Sequence, residues 1–215
     1  LSVFEKAGCY SCHQVDRWND SPKPGPSLYH LASKTNKDWT YNWILEPRSF
    51  RHNTWMPHFF KKGNNSAPED LKRTEQEILA MTEYLFSTAT PYQTSDVDYA
   101  GDKEKGRVLV NSLGCMGCHQ IQPEPDPEYN PSVDVIRTEQ GPNLIGLGSK
   151  VNKQWLLSWL KNPYSYHPGT KMPNLRLSDQ EAADITAYLL ADKNKMFDQL
   201  AVPTVNESIV DQISA

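Results

Sequence analysis

A pentapeptide of the form Cys-x-x-Cys-His occurs twice in this chain of 215 residues and accounts for all four of its cysteines. Residues 9–13 read CYSCH and residues 115–119 read CMGCH, each preceded by Gly and followed by Gln. On a helix, positions i, i+3 and i+4 face the same side, so each copy presents two thiols and an imidazole together. The groups are Cys9, Cys12 and His13 in the first copy and Cys115, Cys118 and His119 in the second. Each copy can therefore bind one ligand with its two thiols and its imidazole, and the fold must leave room for that ligand.

The chemistry that this motif favours is covalent attachment of haem, in which the two thiols bond the vinyl groups and the imidazole reaches the iron. A single Cys-x-x-Cys would leave a zinc site, a redox disulfide or chance open. Here both pairs are followed directly by His, and no spare Cys or His pair recurs at zinc-ligand spacing in both copies. The doubled motif therefore predicts two covalently bound haem c groups.

The similarity between the two halves continues beyond the pentapeptides. Three blocks recur in the same order: Gly-Pro-x-Leu, two tryptophans four residues apart, and Met-Pro. They are Gly25–Leu28, Trp39 with Trp43, and Met56-Pro57 in the first half, and Gly141–Leu144, Trp155 with Trp159, and Met172-Pro173 in the second. The repeat predicts two domains, residues 1–90 and 103–191, joined by a linker at 91–102. Residues 192–215 have no counterpart; a segment that wraps the surface or leads further is the alternative to the disordered end that we favour.

Helix signals fall at matching places in both halves, and no alternating strand pattern competes with them. Asn36 and Asn152 precede the tryptophan segments as N-caps, and a proline stops each of these helices. The last helix of each half is predicted to begin with a capping box, Thr74-x-x-Glu77 or Ser178-x-x-Glu181. A polar loop around 61–72 precedes the first box, and a proline-rich surface loop is expected at 123–131. The predicted fold class is all-α.

The second axial ligand of each iron is a separate question, because several side chains can occupy that position. Only two of the five methionines match each other across the repeat, Met56 and Met172, and each precedes a proline that biases it away from helix. The histidines outside the pentapeptides do not match any histidine in the other half; they are His30, His52, His58 and His167. The repeat favours methionine on both irons, with His58 as the alternative for the first.

The order of these motifs resembles the class I cytochrome c domain, and the resemblance covers nearly all of residues 1–191. It implies a dihaem protein made of two tandem cytochrome c domains, each wrapped around one haem c. The implied axial ligands are His13 with Met56 in the first domain and His119 with Met172 in the second. The carbonyls of Pro26 and Pro142 would accept hydrogen bonds from the two imidazoles. Residues 105–109 resemble the family's first helix, whereas the first domain begins partway through its own, so we expect further residues upstream of Leu1.

Ligation by His and Met raises the reduction potential of the haem relative to ligation by two histidines. It also leaves no open position on the iron, which favours electron transfer over binding of oxygen or peroxide. The sequence therefore predicts a carrier of single electrons rather than an enzyme. The alternative is a dihaem oxidoreductase, similar to peroxidases or thiosulfate dehydrogenases, with one catalytic haem. Its support is the asymmetry of the loops, because Trp18, Trp55, His52 and His58 occur only in the first half. A third interpretation, a cytochrome module of a larger respiratory complex, shares the same chemistry.

The charge of the chain argues against nucleic acid as a partner. The formal net charge is -4, the pI is near 5.9, and two haems would add four propionates. We expect redox proteins as electron donor and acceptor, with a basic patch on the partner. No stretch reaches the roughly 18 to 20 apolar residues that cross a bilayer, and a signal-peptide pattern is lacking, so we expect a soluble, processed chain that meets a membrane only through a partner or a missing segment. The resemblance implies a periplasmic or otherwise extracytoplasmic location in a bacterium.

Overall fold

The computed structural model describes residues 1–15, 17–18, 23–61, 67–94, 99–121 and 141–214. The chain divides into two compact units, one made of residues 1–92 with the segment from Met196 onward, the other of residues 93–195. Within the described ranges the regular structure is helical, with two isolated bridges and no strand. The predicted all-α class is confirmed.

None of the helices in these ranges combines the length and apolar character that crossing a bilayer requires. The predicted loop at 123–131 lies outside the described residues.

The N-terminal part of the first unit contains five α-helices in the residues described, and all but the fourth contribute side chains to one apolar cluster. They are α1 (Ser2–Lys6), α2 (Leu31–Lys34), α3 (Lys37–Leu45), α4 (Pro47–Phe50) and α5 (Pro68–Thr88). Helix α3 starts as predicted, since the side chain of Asn36 accepts a hydrogen bond from the N–H of Trp39 at 2.8 Å. Tyr41 of α3 and Ile78 and Met81 of α5 are buried at the centre of the cluster. Burial of these apolar side chains holds α3 against α5.

The second unit contains the corresponding helices. They are α6 (Lys103–Ser112), α7 (Leu147–Lys150), α8 (Lys153–Lys161), α9 (Pro163–Tyr166) and α10 (Asp179–Ala191). Asn152 caps α8, and the Ser178-x-x-Glu181 box opens α10, both as predicted. Helix α6 is the predicted first helix, and it packs against α10. A Cβ on Gly106 would overlap the main-chain carbonyl of Asp184, so glycine is needed where the two helices cross.

The start of α5 differs from the sequence prediction. The box predicted at Thr74 does not open the helix, because α5 begins at Pro68 and Thr74 lies buried within it. Proline favours the first helical position because its fixed φ suits a helix and because a main-chain N–H there would have no partner within the helix. Asp70 adds a second start signal by accepting a hydrogen bond from the N–H of Ala67 at 3.2 Å. The loop predicted around 61–72 is therefore helical from Pro68 onward, and part of the remainder lies outside the described residues.

The C-terminal segment is folded, and the expectation of a disordered end is wrong. It forms α11 (Lys195–Asp198) and α12 (Glu207–Ser214), and from Met196 onward it belongs to the first unit. Phe197 is 3% exposed and packs in a cluster with Trp39 and Phe50. One buried ring among irregularly spaced apolar residues sets no helical or strand period, so the sequence pattern does not reveal this contact.

Candidate functional site

Each Cys-x-x-Cys-His motif lies on a single tight turn. Gly8 and Gly114 precede the turns with φ of 69° and 73°, a left-handed conformation that glycine adopts without strain. The 3-10 helices Cys9–Ser11 and Cys115–Gly117 follow. In each motif the N–H of the histidine donates to the carbonyl of the first cysteine at 3.0 Å. The two motifs have the same local geometry, and the helix in each of them is a single 3-10 turn.

All four cysteines are free thiols, with Cys12 and Cys118 exposed and Cys9 and Cys115 partly buried. Burial raises the pKa of Cys9 and of Cys115, because the thiolate would lose solvation. Both groups are therefore protonated at neutral pH. The two thiols of a motif can each add an S–H bond across a vinyl group and so form a thioether, which is the attachment that the motif predicts.

The two histidines of the motifs are held by the hydrogen bonds that the resemblance implies. Nδ1 of His13 lies 2.8 Å from the carbonyl oxygen of Pro26, and Nδ1 of His119 lies 2.8 Å from that of Pro142. A carbonyl oxygen can only accept, so Nδ1 carries the proton and Nε2 keeps its lone pair for a metal. Loss of solvation lowers the pKa of His13, an effect that the bond to Pro26 partly opposes. The neutral imidazole is the form that binds iron.

Gly25 and Gly141 make room for these imidazoles. A Cβ on Gly25 would lie 2.6 Å from Cε1 of His13, and a Cβ on Gly141 would overlap the ring of His119. Each glycine also donates its N–H to the carbonyl of the second cysteine of its motif, at 2.8 and 2.6 Å. In each Gly-Pro pair, the glycine bonds the main chain of the motif and the carbonyl of the proline orients the histidine. The repeated Gly-Pro block was visible in the sequence, but the steric role of its glycine was not.

The paired methionines have matching surroundings in the two domains. Trp43 donates its indole N–H to Sδ of Met56 at 2.7 Å, and Trp159 donates to Sδ of Met172 at 2.9 Å. Each tryptophan stacks on the tryptophan one turn earlier in its helix, at 5.1 Å in α3 and 5.5 Å in α8. The stacking fixes the indole, and the indole fixes the sulfur.

Threonines two residues before the methionines are contacts that the sequence reasoning missed. Thr54 accepts a hydrogen bond from the N–H of Met56, and Thr170 accepts one from the N–H of Met172, both at 3.2 Å. Such a side-chain turn stabilises the loop that carries each thioether. The signal was present, because Thr-x-Met-Pro occurs in both halves of the sequence.

The remaining histidines lie in different environments from one another. Nε2 of His58 lies 3.2 Å from a carboxylate oxygen of Glu46, and Nδ1 of His30 lies 2.7 Å from the carbonyl oxygen of Thr90. The side chains of His52 and His167 are exposed. Of the tryptophans found only in the first half, Trp55 is fully exposed, and Trp18 stacks on Tyr10 at 5.0 Å.

The donors in each domain fit a covalently attached haem. Each domain offers two free thiols on one turn, an imidazole with Nε2 available, and a glycine that opens the space beside that ring. Each also holds a thioether, which is a known partner of histidine on haem iron. In the part of the chain that the structure describes, no three His, Cys, Asp or Glu side chains are grouped so as to hold a metal ion.

An all-α unit with this donor set defines a c-type cytochrome domain, and the chain contains it twice. The family model of cytochrome c matches residues 2–89 and again residues 103–192. The chain therefore belongs to the cytochrome c family. Cytochrome c domains bind haem c covalently, and two domains with two Cys-x-x-Cys-His motifs fit two haem c groups.

Individual relatives agree with this family. Cytochrome c of Guizotia abyssinica is 30% identical over 103 residues, which are 43% of this chain and 91% of the relative. Cytochrome c of Tetrahymena pyriformis is 36% identical over 98 residues, which are 41% of this chain and 87% of the relative. Cytochrome c oxidase subunit 2 of Bacillus subtilis (strain 168) is 30% identical over 106 residues, which are 45% of this chain. The matched region spans only 27% of the length of that subunit.

Proposed function

We propose that the chain is a dihaem electron carrier in which both irons have closed His/Met ligation. The axial pairs are His13 with Met56 in the first domain and His119 with Met172 in the second. The observation that carries the proposal is the repeated pair of contacts, in which a proline carbonyl holds each imidazole and an indole N–H holds each thioether. The same surroundings in both domains favour the same ligands in both.

Each part of this site serves electron transfer. The haem, when bound, supplies a one-electron couple. The cysteines keep it attached in both oxidation states, and the carbonyls of Pro26 and Pro142 orient the imidazoles and raise their basicity. The tryptophans hold the sulfur atoms and the threonines hold the main chain of the methionines, which limits rearrangement when the oxidation state changes. Histidine with methionine raises the potential and leaves no position for oxygen or peroxide, so two such sites can relay an electron or store two.

The proposal extends to partners and location. A net charge of -4 and four propionates favour a donor and an acceptor that present basic surfaces. Bacterial cytochrome c domains typically lie outside the cytoplasm, and we place this chain in the periplasm or another extracytoplasmic compartment. Its likeness to part of a cytochrome c oxidase subunit supports a respiratory or related chain, including a setting as a module of a larger complex. Fractionation of the native cell, followed by detection of covalent haem in each fraction, tests the location.

One observation favours the dihaem oxidoreductase as a second candidate. His58, two residues beyond Met56 in the sequence, forms an acid–base pair with Glu46, and Trp55, which precedes Met56, is fully exposed. Neither His58 nor Trp55 has a counterpart in the second domain. An imidazole and a carboxylate near an iron could move protons to and from a substrate if the thioether left.

Spectroscopy of the holoprotein separates the two candidates. A carrier shows low-spin signals from both haems in the oxidised and reduced states and binds cyanide or carbon monoxide slowly. A high-spin signal from either haem, or turnover of peroxide or thiosulfate that His58→Ala abolishes, would support the oxidoreductase instead.

A further inference from the structure

The C-terminal segment from Met196 to Ser214, here called the strap, places one aromatic ring in the cluster that contains Trp43. We propose that Phe197 of the strap is a positioning residue for the first haem, acting through Phe50 and Trp43 on the sulfur of Met56. The proposal rests on the proposed function, because it takes Met56 as an axial ligand. It gives the C-terminal segment control over the ligation and potential of one haem of the two.

Phe197 anchors the strap. Its side chain is 3% exposed, whereas that of the preceding Met196 is 83% exposed. The Phe197 ring meets the Phe50 ring edge-on with 4.8 Å between centroids and lies 6.3 Å from the Trp39 ring. Edge and tilted arrangements at these distances are the favourable ones for aromatic pairs. The ring therefore fills a defined place in the first domain.

Two buried polar side chains bond the main chain of the strap at two places. Asn42 of α3 donates to the carbonyl of Leu200 at 3.4 Å. Gln76 of α5 donates to the carbonyl of Thr204 at 3.0 Å and accepts from the N–H of Asn206 at 2.8 Å. Asn42 and Gln76 are 3% and 4% exposed, so their amides bond main-chain groups of the strap rather than open solvent. The strap is thus attached both to the helix that carries the tryptophans and to the long helix beside it.

The route from Phe197 to the methionine consists of ring contacts and one hydrogen bond. Phe50 meets the Trp43 ring edge-on at 6.2 Å, and Trp39 stacks on Trp43 at 5.1 Å. Phe197 packs against both of these supporting rings. Trp43 then holds the sulfur of Met56 through its indole N–H. If the Phe197 ring is lost, both supports of Trp43 gain freedom, and the thioether loses its fixed donor.

The second domain provides an internal control. Trp159 stacks on Trp155, meets Tyr166 edge-on at 5.9 Å, and holds Met172. Tyr166 stands at the position of Phe50 in the repeat. Because the strap belongs to the first unit, loss of its ring should alter the first haem and leave the second unchanged. Phe197→Ala in a Met56→Ala background checks the second haem, whose band should stay as it is in Met56→Ala alone.

The test uses the full-length holoprotein carrying Met172→Ala, so that the near-infrared thioether-to-iron band reports only the first haem. Phe197→Ala and Phe197→Leu are made in this background, with Met196→Ala as the exposed neighbour control. We expect Phe197→Ala to weaken the band, to shift the potential of the first haem and to speed imidazole binding there about tenfold, the size expected for one lost aromatic contact. Phe197→Leu should fall between Phe197→Ala and the parent, and Met196→Ala should match the parent.

The outcomes separate the two proposals. An unchanged band and imidazole rate in folded Phe197 variants, as judged by circular dichroism, would overturn the positioning role. If Phe197→Ala unfolds the first domain, Phe197→Leu decides the matter by the same readouts. Met56→Ala in the same background should abolish the band, and its survival there would show that the ligand assignment itself has failed. A band lost in Met56→Ala but unaltered by Phe197 variants would reject only the role of the strap.

Discussion

Trp43 donates its indole N–H to the sulfur of Met56 at 2.7 Å, and the second domain repeats this relationship between its own tryptophan and methionine. Sulfur has two lone pairs, so one can accept the indole proton while the other faces a metal. A donor on an axial ligand withdraws electron density from it and favours the reduced, less positive iron. The indole therefore both orients the proposed ligand and adjusts the potential.

Replacing Trp43 by phenylalanine should keep a stacked ring and remove the donor. We expect the potential of the first haem to fall by about 40 mV, since a hydrogen bond contributes about 1 kcal/mol and one electron is transferred. Potentiometric titration of the holoprotein measures the change, and Trp159→Phe should produce it at the second haem. Equal potentials in parent and variants would show that these bonds do not tune the irons.

Gly141→Ala should displace the imidazole of His119, because the added Cβ would overlap the ring. Overpacking of this kind costs about 1 to 3 kcal/mol, so the free energy of unfolding and the low-spin signal of the second haem should both decrease. Gly117→Ala is the matched control, since Gly117 lies in the Cys-x-x-Cys-His motif that carries His119 and a Cβ there meets open space. Urea unfolding with parallel spectra measures both effects, and a Gly141→Ala protein as stable as Gly117→Ala would contradict the steric role.

Gln76→Ala should loosen the strap without touching a proposed ligand. It removes both hydrogen bonds to the main chain of Thr204 and Asn206, and we expect a loss of about 1 to 3 kcal/mol in the free energy of unfolding. Hydrogen exchange should quicken in residues 196–214. The control is Glu83→Ala, which removes an exposed ion pair with Lys37 and should change stability by less than about 1 kcal/mol. Unchanged exchange in the strap would show that the hydrogen bonds of Gln76 do not hold it in place.

Tyr41 should make the first domain sensitive to alkali. Burial, together with the negative charge of Glu75, raises the pKa of its phenol to about 12, above the value of about 10 in an unfolded chain. The folded state therefore favours the neutral phenol, and this contribution is complete below about pH 10 and is lost as the pH rises towards about 12. Between about pH 10 and about pH 12, the free energy of unfolding measured in urea should fall less steeply with pH in Tyr41→Phe than in the parent. Parallel pH profiles would speak against a raised pKa.

The repeated motifs point to the proposed site because each residue type in them has a direct chemical role. The thiols, the imidazoles, the Gly-Pro pair and the methionines recur at matching positions, so one half of the sequence checked the other. Asn152 and the Ser178 box were readable for the same reason. The start of α5 was misjudged, because Thr74 and Glu77 imitate a cap inside a helix that Pro68 already begins.

The strap could not be predicted by the same reasoning. It occurs once, so no second copy exists for comparison, and its attachment includes one buried ring and the amides of two residues far away in the sequence. Contacts of Phe197 with Phe50 are set by tertiary packing rather than by local propensity. Thr54 and Thr170 differ in this respect, since their pattern was repeated but carries no metal-binding chemistry of its own.

The near-infrared thioether-to-iron band of the oxidised holoprotein tests the ligand assignment most directly. Met56→Ala and Met172→Ala should each remove about half of its intensity, since each haem iron is bound by one methionine sulfur in the proposal. The double variant should lack the band entirely. Persistence of the band in the double variant would contradict His/Met ligation on the two irons.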